Sequence, residues 1–168
     1  GPDGDGYYFG QNVALGHRRL SIIDIEGGTQ PMYCENRQVI LTYNGEIYNF
    51  AVVKAELLAM GYGFTSSGDT EVVLKAYLAW GEAFVHKLDG MFAIALWDGR
   101  DQTLRLFRDR FGKKPLFYSF QDGELCFASE LKALLGQGGC QAAIDETAYF
   151  TYLSLQYSLN NQCIIKGI

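Results

Sequence analysis

The chain has 168 residues, and its 48% of hydrophobic residues suffices to fill one core of ordinary size. A net charge of −5, with the 14 Lys and Arg scattered rather than gathered on a stripe, excludes a nucleic-acid footprint. No apolar run approaches the roughly 20 residues of a membrane helix, and the opening Gly1-Pro2-Asp3-Gly4-Asp5-Gly6 has neither the charged nor the apolar region of a secretion signal. The expectation is a soluble, cytoplasmic globular domain with no membrane partner. Cys34, Cys126, Cys140 and Cys163 lie far apart and form no C-x-x-C pair, so free thiols are expected rather than a zinc site or a disulfide framework.

In chain order, Gly1 to Gly4 reads as a turn, and regular structure is expected from Asn12 onward. Val13 to Asp24 has strand-like stretches with Arg19 on or beside a strand. Gly27 to Met32 is a loop, and Gln38 to Thr42 is a strand that ends in a tight turn at Tyr43-Asn44-Gly45-Glu46-Ile47-Tyr48-Asn49. Asn49 is a good N-cap for a helix over Ala51 to Met60, with Val53, Leu57 and Met60 on one face and Gly61 ending it. A second helix starts at Asp69, with Val72, Val73, Ala76, Tyr77 and Trp80 as its apolar stripe. Met91 to Trp97 is apolar on both faces, which predicts a strand covered on both sides. Thr103 to Phe107 is a further strand, Pro115 to Phe120 and Glu124 to Ala128 form a hairpin around Gln121-Asp122-Gly123, and Ser129 caps a short helix ending at Gly136. Gln137-Gly138-Gly139 reads as a linker before a helix over Asp145 to Leu155. Hairpins together with doubly covered strands predict an α+β chain, an αββα sandwich of two largely antiparallel sheets flanked by helices.

The motif at Tyr43 to Asn49 carries the chemistry. An Asn and a Gly in a turn can aim a side-chain amide N–H and a backbone N–H at one point, which would serve as an oxyanion hole. The plain alternative is an Asn-Gly turn or hairpin tip. Tyr43 to Asn49, read with His17-Arg18-Arg19-Leu20-Ser21-Ile22-Ile23-Asp24 before it and Ser67-Gly68-Asp69-Thr70-Glu71 after it, resembles the glutaminase domain of class II glutamine amidotransferases in the form carried by glutamine-hydrolysing asparagine synthetases. Arg108 to Leu116 and Phe127 to Leu134 are similar to segments of the same family, and their charges are expected to be structural or interdomain rather than catalytic.

The resemblance implies the N-terminal-nucleophile hydrolase fold and assigns roles by position. Asn44 and the Gly45 N–H hold the tetrahedral oxyanion. Arg19 grips the α-carboxylate of L-glutamine, as a planar guanidinium can through two parallel hydrogen bonds. The backbone at Leu20, Ile22 and Ile23 lines the pocket, and Glu46 and Asp69 bind the α-ammonium. In the family the nucleophile is an N-terminal Cys. Gly1-Pro2-Asp3-Gly4 is similar to the end of an internal Arg-Gly-Pro-Asp-Gly motif, so the chain is expected to be a fragment that lacks that Cys. The implied division is residues 1–135 as the glutaminase domain, 136–144 as linker and 145–168 as the start of an ATP-using synthetase domain. No metal or cofactor is expected in the glutaminase part; L-aspartate, ATP and Mg belong to the synthetase part, and a homodimer is compatible with the resemblance. Two other readings stay open, a non-catalytic glutamine-binding or interaction domain on the same fold, and an amidotransferase with a non-aspartate acceptor. Expressed as residues 1–168, the polypeptide is expected to release no glutamate from glutamine. Turnover abolished by Cys34→Ala or Cys126→Ala would overturn that.

Overall fold

The first strand, β1 (Gly4–Phe9), begins at the end of the expected turn and lies wholly before Asn12, where regular structure was expected to start. It pairs antiparallel with β2 (Ala14–Arg19), Gly4 opposite Arg19 and Phe9 opposite Ala14. Its glycines disfavour a strand by local propensity, but a side chain at Gly6 would run into the backbone of Gln30, so close packing requires glycine there. The computed structural model describes residues 4–19, 28–136, 143–159 and 162–168, without the side chain of Arg19. Leu20, Ile22 and Ile23, Cys140 and most of the expected linker lie outside the described residues.

The chain divides into two units, Gly1–Lys114 and Pro115–Ile168. In the first, a four-stranded antiparallel sheet has the order β3-β4-β5-β6, with β3 at Met32–Tyr33, β4 at Val39–Ile47, β5 at Gly90–Asp98 and β6 at Thr103–Arg108. Helices α1 (Phe50–Ala59) and α2 (Asp69–Trp80) cover one face. Val39, Leu41, Tyr43 and Ile47 of β4, with Phe92, Ile94 and Leu96 of β5, meet Val53, Leu57, Val72, Val73, Ala76 and Tyr77 in the core. These are alternate residues of each strand, as a pleat requires. On the other face Ile40, Thr42, Ala93, Ala95 and Trp97 are also buried, which accounts for the unbroken apolar run of β5. A short 3-10 helix at Gly81–Lys87 leads into β5.

Two further expectations change. The strand does not end in a turn at Tyr43: β4 continues to Ile47, with Asn44 opposite Ala93 and Gly45 opposite Phe92. Gly45 is therefore neither a hairpin tip nor a left-handed residue. A Cβ there would collide with the Met91 carbonyl oxygen and come within 2.8 Å of Phe92 Cα, so glycine is required by the close approach of β5. Gly45→Ala is expected to force the strands apart at a cost of roughly 1 to 3 kcal/mol, seen as a lower midpoint in thermal or urea melts; an unchanged midpoint would refute the close approach. Met60 is the second change, since it lies past the end of α1 and is exposed, leaving Val53 and Leu57 as the buried face.

Asn49 stands at the N-cap of α1, yet its side chain does not cap the helix. Its amide donates to the Lys87 carbonyl (2.9 Å) and accepts from the Asp89 N–H (2.9 Å), fastening the start of α1 to the chain entering β5. Buried carboxylates act as similar fasteners. Asp98 accepts from the Tyr77 hydroxyl (2.8 Å), the Arg100 N–H (3.0 Å) and the Arg100 guanidinium. The guanidinium, outweighing burial, holds the Asp98 carboxyl down from 3.8 to about 2, while burial and then the Asp98 carboxylate push Tyr77 up to about 12. A carboxyl lowered on folding stabilises above its unfolded pKa and loses that contribution as pH falls through the folded one. Asp98→Asn is thus expected to cost roughly 1 to 2 kcal/mol at pH 7 after allowing for the half-exposed Arg100. The deficit should vanish between about pH 4 and pH 2 in denaturant titrations, and a deficit constant over that window would exclude this role.

In the second unit β7 (Phe117–Gln121) and β8 (Glu124–Ala128) form the expected hairpin. Asp122 and Gly123 both have positive φ, 52° and 82°, as a two-residue hairpin turn requires. Helix α3 (Leu131–Gly136) follows, and α4 (Glu146–Leu155) is capped by Asp145, whose Oδ1 accepts the Ala148 N–H at 2.9 Å. The α+β class with antiparallel sheets and flanking helices is found as expected. No described helix is long and apolar enough to cross a membrane.

Candidate functional site

The outer edge of β4, the side away from β5, organises the site. Along a strand the N–H and C=O groups of alternate residues point to the same edge. Residues 39, 41, 43, 45 and 47 share this one. Val39 is met by Cys34, whose N–H donates to the Val39 carbonyl (3.0 Å) and whose Sγ accepts the Val39 N–H (3.1 Å). Leu41 is opposite Met32 of β3. Before Met32 comes Pro31, which has no N–H to give, and β3 ends there. Tyr43 is met by a side chain instead of a strand: Gln30 Nε2 donates to the Tyr43 carbonyl (2.9 Å) and Gln30 Oε1 accepts the Tyr43 N–H (2.6 Å). At Ile47 the N–H donates to Asp69 Oδ2 (2.9 Å), which also accepts the Tyr43 hydroxyl (2.7 Å).

Gly45 lies between these two side chains. Its ladder partner Phe92 turns both backbone groups to the opposite side, where its N–H donates to Asp109 Oδ2 (3.2 Å) and its carbonyl accepts the Asp109 N–H (2.9 Å). Gly45 and Phe92 are thus a non-hydrogen-bonded pair, and the Gly45 N–H points to the outer edge. Asn44 and Glu46, half-buried, lie on the sheet face turned away from α1 and α2. Asp69 is the first residue of α2 and comes to the same end of β4 from the helix side. It is 8% exposed, and it joins its helix to the strand rather than capping the helix, whose N-cap is Gly68.

The fold thus brings Asn44, Gly45, Glu46 and Asp69 to the C-terminal end of β4. Arg19 is the last residue of β2, which runs close to β4; the neighbouring positions Leu20, Ile22 and Ile23 are outside the described residues. Tyr43 and Gln30 carry no role in the sequence reading. Burial, and then the negative charge of Asp69, raise the Tyr43 phenol well above its ordinary range, so it stays a neutral donor to that carboxylate. Glu71, in the first turn of α2, is buried and accepts the N–H groups of Thr65 (3.0 Å) and Ser66 (2.7 Å). Burial opposes its charge, but these donors and the Ser66 hydroxyl win and hold its carboxyl low. Among the described residues no group of three or more His, Cys, Asp or Glu is arranged to hold a metal ion.

Comparison with known proteins finds relatives over most of this chain. Among curated proteins, the chain is 44% identical over 158 residues to asparagine synthetase (glutamine-hydrolyzing) 1 of Bacillus subtilis (strain 168), an overlap of 94% of this chain and 25% of the relative. It is 41% identical over 136 residues to asparagine synthetase B (glutamine-hydrolyzing) of Escherichia coli (strain K12), covering 80% of this chain and 24% of that one. The chain therefore spans about a quarter of the length of these relatives. Among solved structures, glutamine phosphoribosylpyrophosphate amidotransferase from B. subtilis matches with a TM-score of 0.63 at 26% identity, over 74% of this chain and 29% of that chain. The likeness supports the N-terminal-nucleophile amidotransferase fold expected from the motifs. The description of a glutamine amidotransferase domain matches residues 1–168 from end to end, and the chain belongs to that family.

Proposed function

We propose that this domain binds L-glutamine and serves its hydrolysis to glutamate and ammonia, and that the longer protein passes the ammonia to an L-aspartate activated by ATP. Asn44 and the Gly45 N–H stabilise the oxyanion that forms when the side-chain carbonyl becomes tetrahedral. Arg19 holds the α-carboxylate beside the backbone at Leu20, Ile22 and Ile23, and Glu46 and Asp69 take the α-ammonium. The reading assigns binding and oxyanion roles within the chain and no nucleophile. ATP and Mg act at the second site of the longer protein, in the cytoplasm, and residues 145–168 lead toward that domain.

The observation that carries this reading is the edge of β4, where the Gly45 N–H points outward next to Asn44 and between two anchored neighbours. A backbone donor fixed in a sheet needs no reorganisation as charge develops, which is the condition for strong oxyanion stabilisation. Arg19→Lys in the full-length protein tests the binding half. Lysine keeps the charge but loses the fork, worth about 1.5 kcal/mol or more for hydrogen bonds to a charged group. The glutamine KM should rise roughly tenfold or more while kcat falls less. A drop in kcat at constant KM would remove Arg19 from the carboxylate site.

A further inference from the structure

Resting on the reading just given, we infer that Gln30 is a positioning residue for the oxyanion donor. Its amide ends the pairing of β4 one rung before Gly45. A polypeptide strand that reached Tyr43 would continue to the next rung on the same edge and take the Gly45 N–H for itself. A side-chain amide cannot do so. It offers one acceptor and one donor group in the geometry of a peptide, which satisfies the N–H and C=O of a single residue and stops. Gln30 makes both bonds to Tyr43, at 2.6 and 2.9 Å, and is 8% exposed. Its own backbone is gripped in turn, because Gly6 of β1 lies directly against the Gln30 carbonyl. Two residues beyond Gly45, the Asp69 carboxylate takes the Ile47 N–H in a second side-chain termination. The donor at Gly45 is thereby held between two fixed points.

Gln30 acts on the reaction through the backbone and touches no reacting atom, so its effect should appear in turnover rather than in binding. In the full-length protein, Gln30→Met removes both bonds at similar volume. Small misplacements of reacting groups are expensive, and glutamine-driven kcat is expected to fall about tenfold or more, with the glutamine KM within about twofold of the parent. Synthesis driven by added ammonia bypasses this site and should fall far less, so the ratio of glutamine-driven to ammonia-driven synthesis drops. A purely structural role would lower the amount of folded protein and reduce both activities in proportion; that result, or an unchanged ratio, overturns the inference.

Gln30→Glu provides a second readout and a substitute if Gln30→Met does not fold. The carboxylate can accept the Tyr43 N–H but repels its carbonyl, whereas the protonated acid restores both bonds. Relative to the parent protein, the loss in the activity ratio should therefore shrink as pH is lowered. A loss independent of pH argues against the two-bond clamp. Asn44→Ala, measured alongside, separates the two ideas. If it leaves the ratio unchanged, the oxyanion reading fails and takes the inference with it. If it lowers the ratio while both Gln30 variants do not, only the role of Gln30 is lost.

Discussion

Replacing Asn44 with alanine in the full-length protein is expected to lower glutamine-driven turnover about 10² to 10³-fold, the loss of roughly 2.7 to 4 kcal/mol that follows removal of one oxyanion donor. The glutamine KM should change little, because the contact strengthens only as the carbonyl becomes tetrahedral. Asn44 lies opposite Ala93 on the half-buried part of its sheet face, so truncation leaves the β4–β5 ladder intact. Ammonia-driven synthesis should persist. The decisive quantity is the ratio of the two activities, and an equal fall in both would make Asn44 a structural strand residue.

The largest loss of stability is expected at Asp109. Its buried carboxylate accepts backbone N–H groups from Phe92 (3.2 Å), Phe111 (3.0 Å), Lys113 (3.0 Å) and Lys114 (3.1 Å), joining β5 to the loop that follows β6. Burial opposes its charge, but the four donors prevail and keep its carboxyl low. On the outside of the same loop the Arg108 guanidinium donates to the carbonyls of Gly112 and Lys114, both at 2.8 Å. Asp109→Ala removes all four acceptor contacts at once. With a net 1.5 to 3 kcal/mol for a hydrogen bond to a charged group and water replacing part of the set, a loss of about 3 kcal/mol or more is expected. That is a fall of roughly 6 to 12 °C in Tm for a domain of this size. Arg110→Ala, one residue away and exposed, should stay within about 0.5 kcal/mol of the parent. Equal melts for the Asp109 and Arg110 variants would refute the clamp.

Local pattern was enough for much of the fold. Continuous apolar runs mark β4 and β5, the stripe from Val72 to Tyr77 marks α2, and the Asp122-Gly123 turn is the kind that positive φ at both positions demands. Each of these signals depends only on neighbours in the chain. β1 was illegible for the opposite reason. Its glycines and aspartate are poor strand residues, and it forms because β2 pairs with it and Gln30 packs against Gly6.

The site divides in the same way. The roles proposed for Arg19, Asn44, Gly45, Glu46 and Asp69 rest on the resemblance of their motifs, and are compatible with the charge and donor capacity that each group carries. Their environment could not be read there. Asn-Gly in a sequence suggests a turn, but here Gly45 is mid-strand, because the constraint on it is the backbone of Met91 and Phe92, 46 and 47 positions further along by their numbers. The parts played by Gln30 and Tyr43 could not be read there either. A buried amide becomes a substitute strand, and a phenol becomes the second donor to Asp69, only when segments distant in sequence are brought within hydrogen-bond length. Sequence determined which chemical groups this protein carries, and the tertiary structure decided which backbone donor is turned outward, because hydrogen-bond pairing along a sheet edge is a property of the assembled strands.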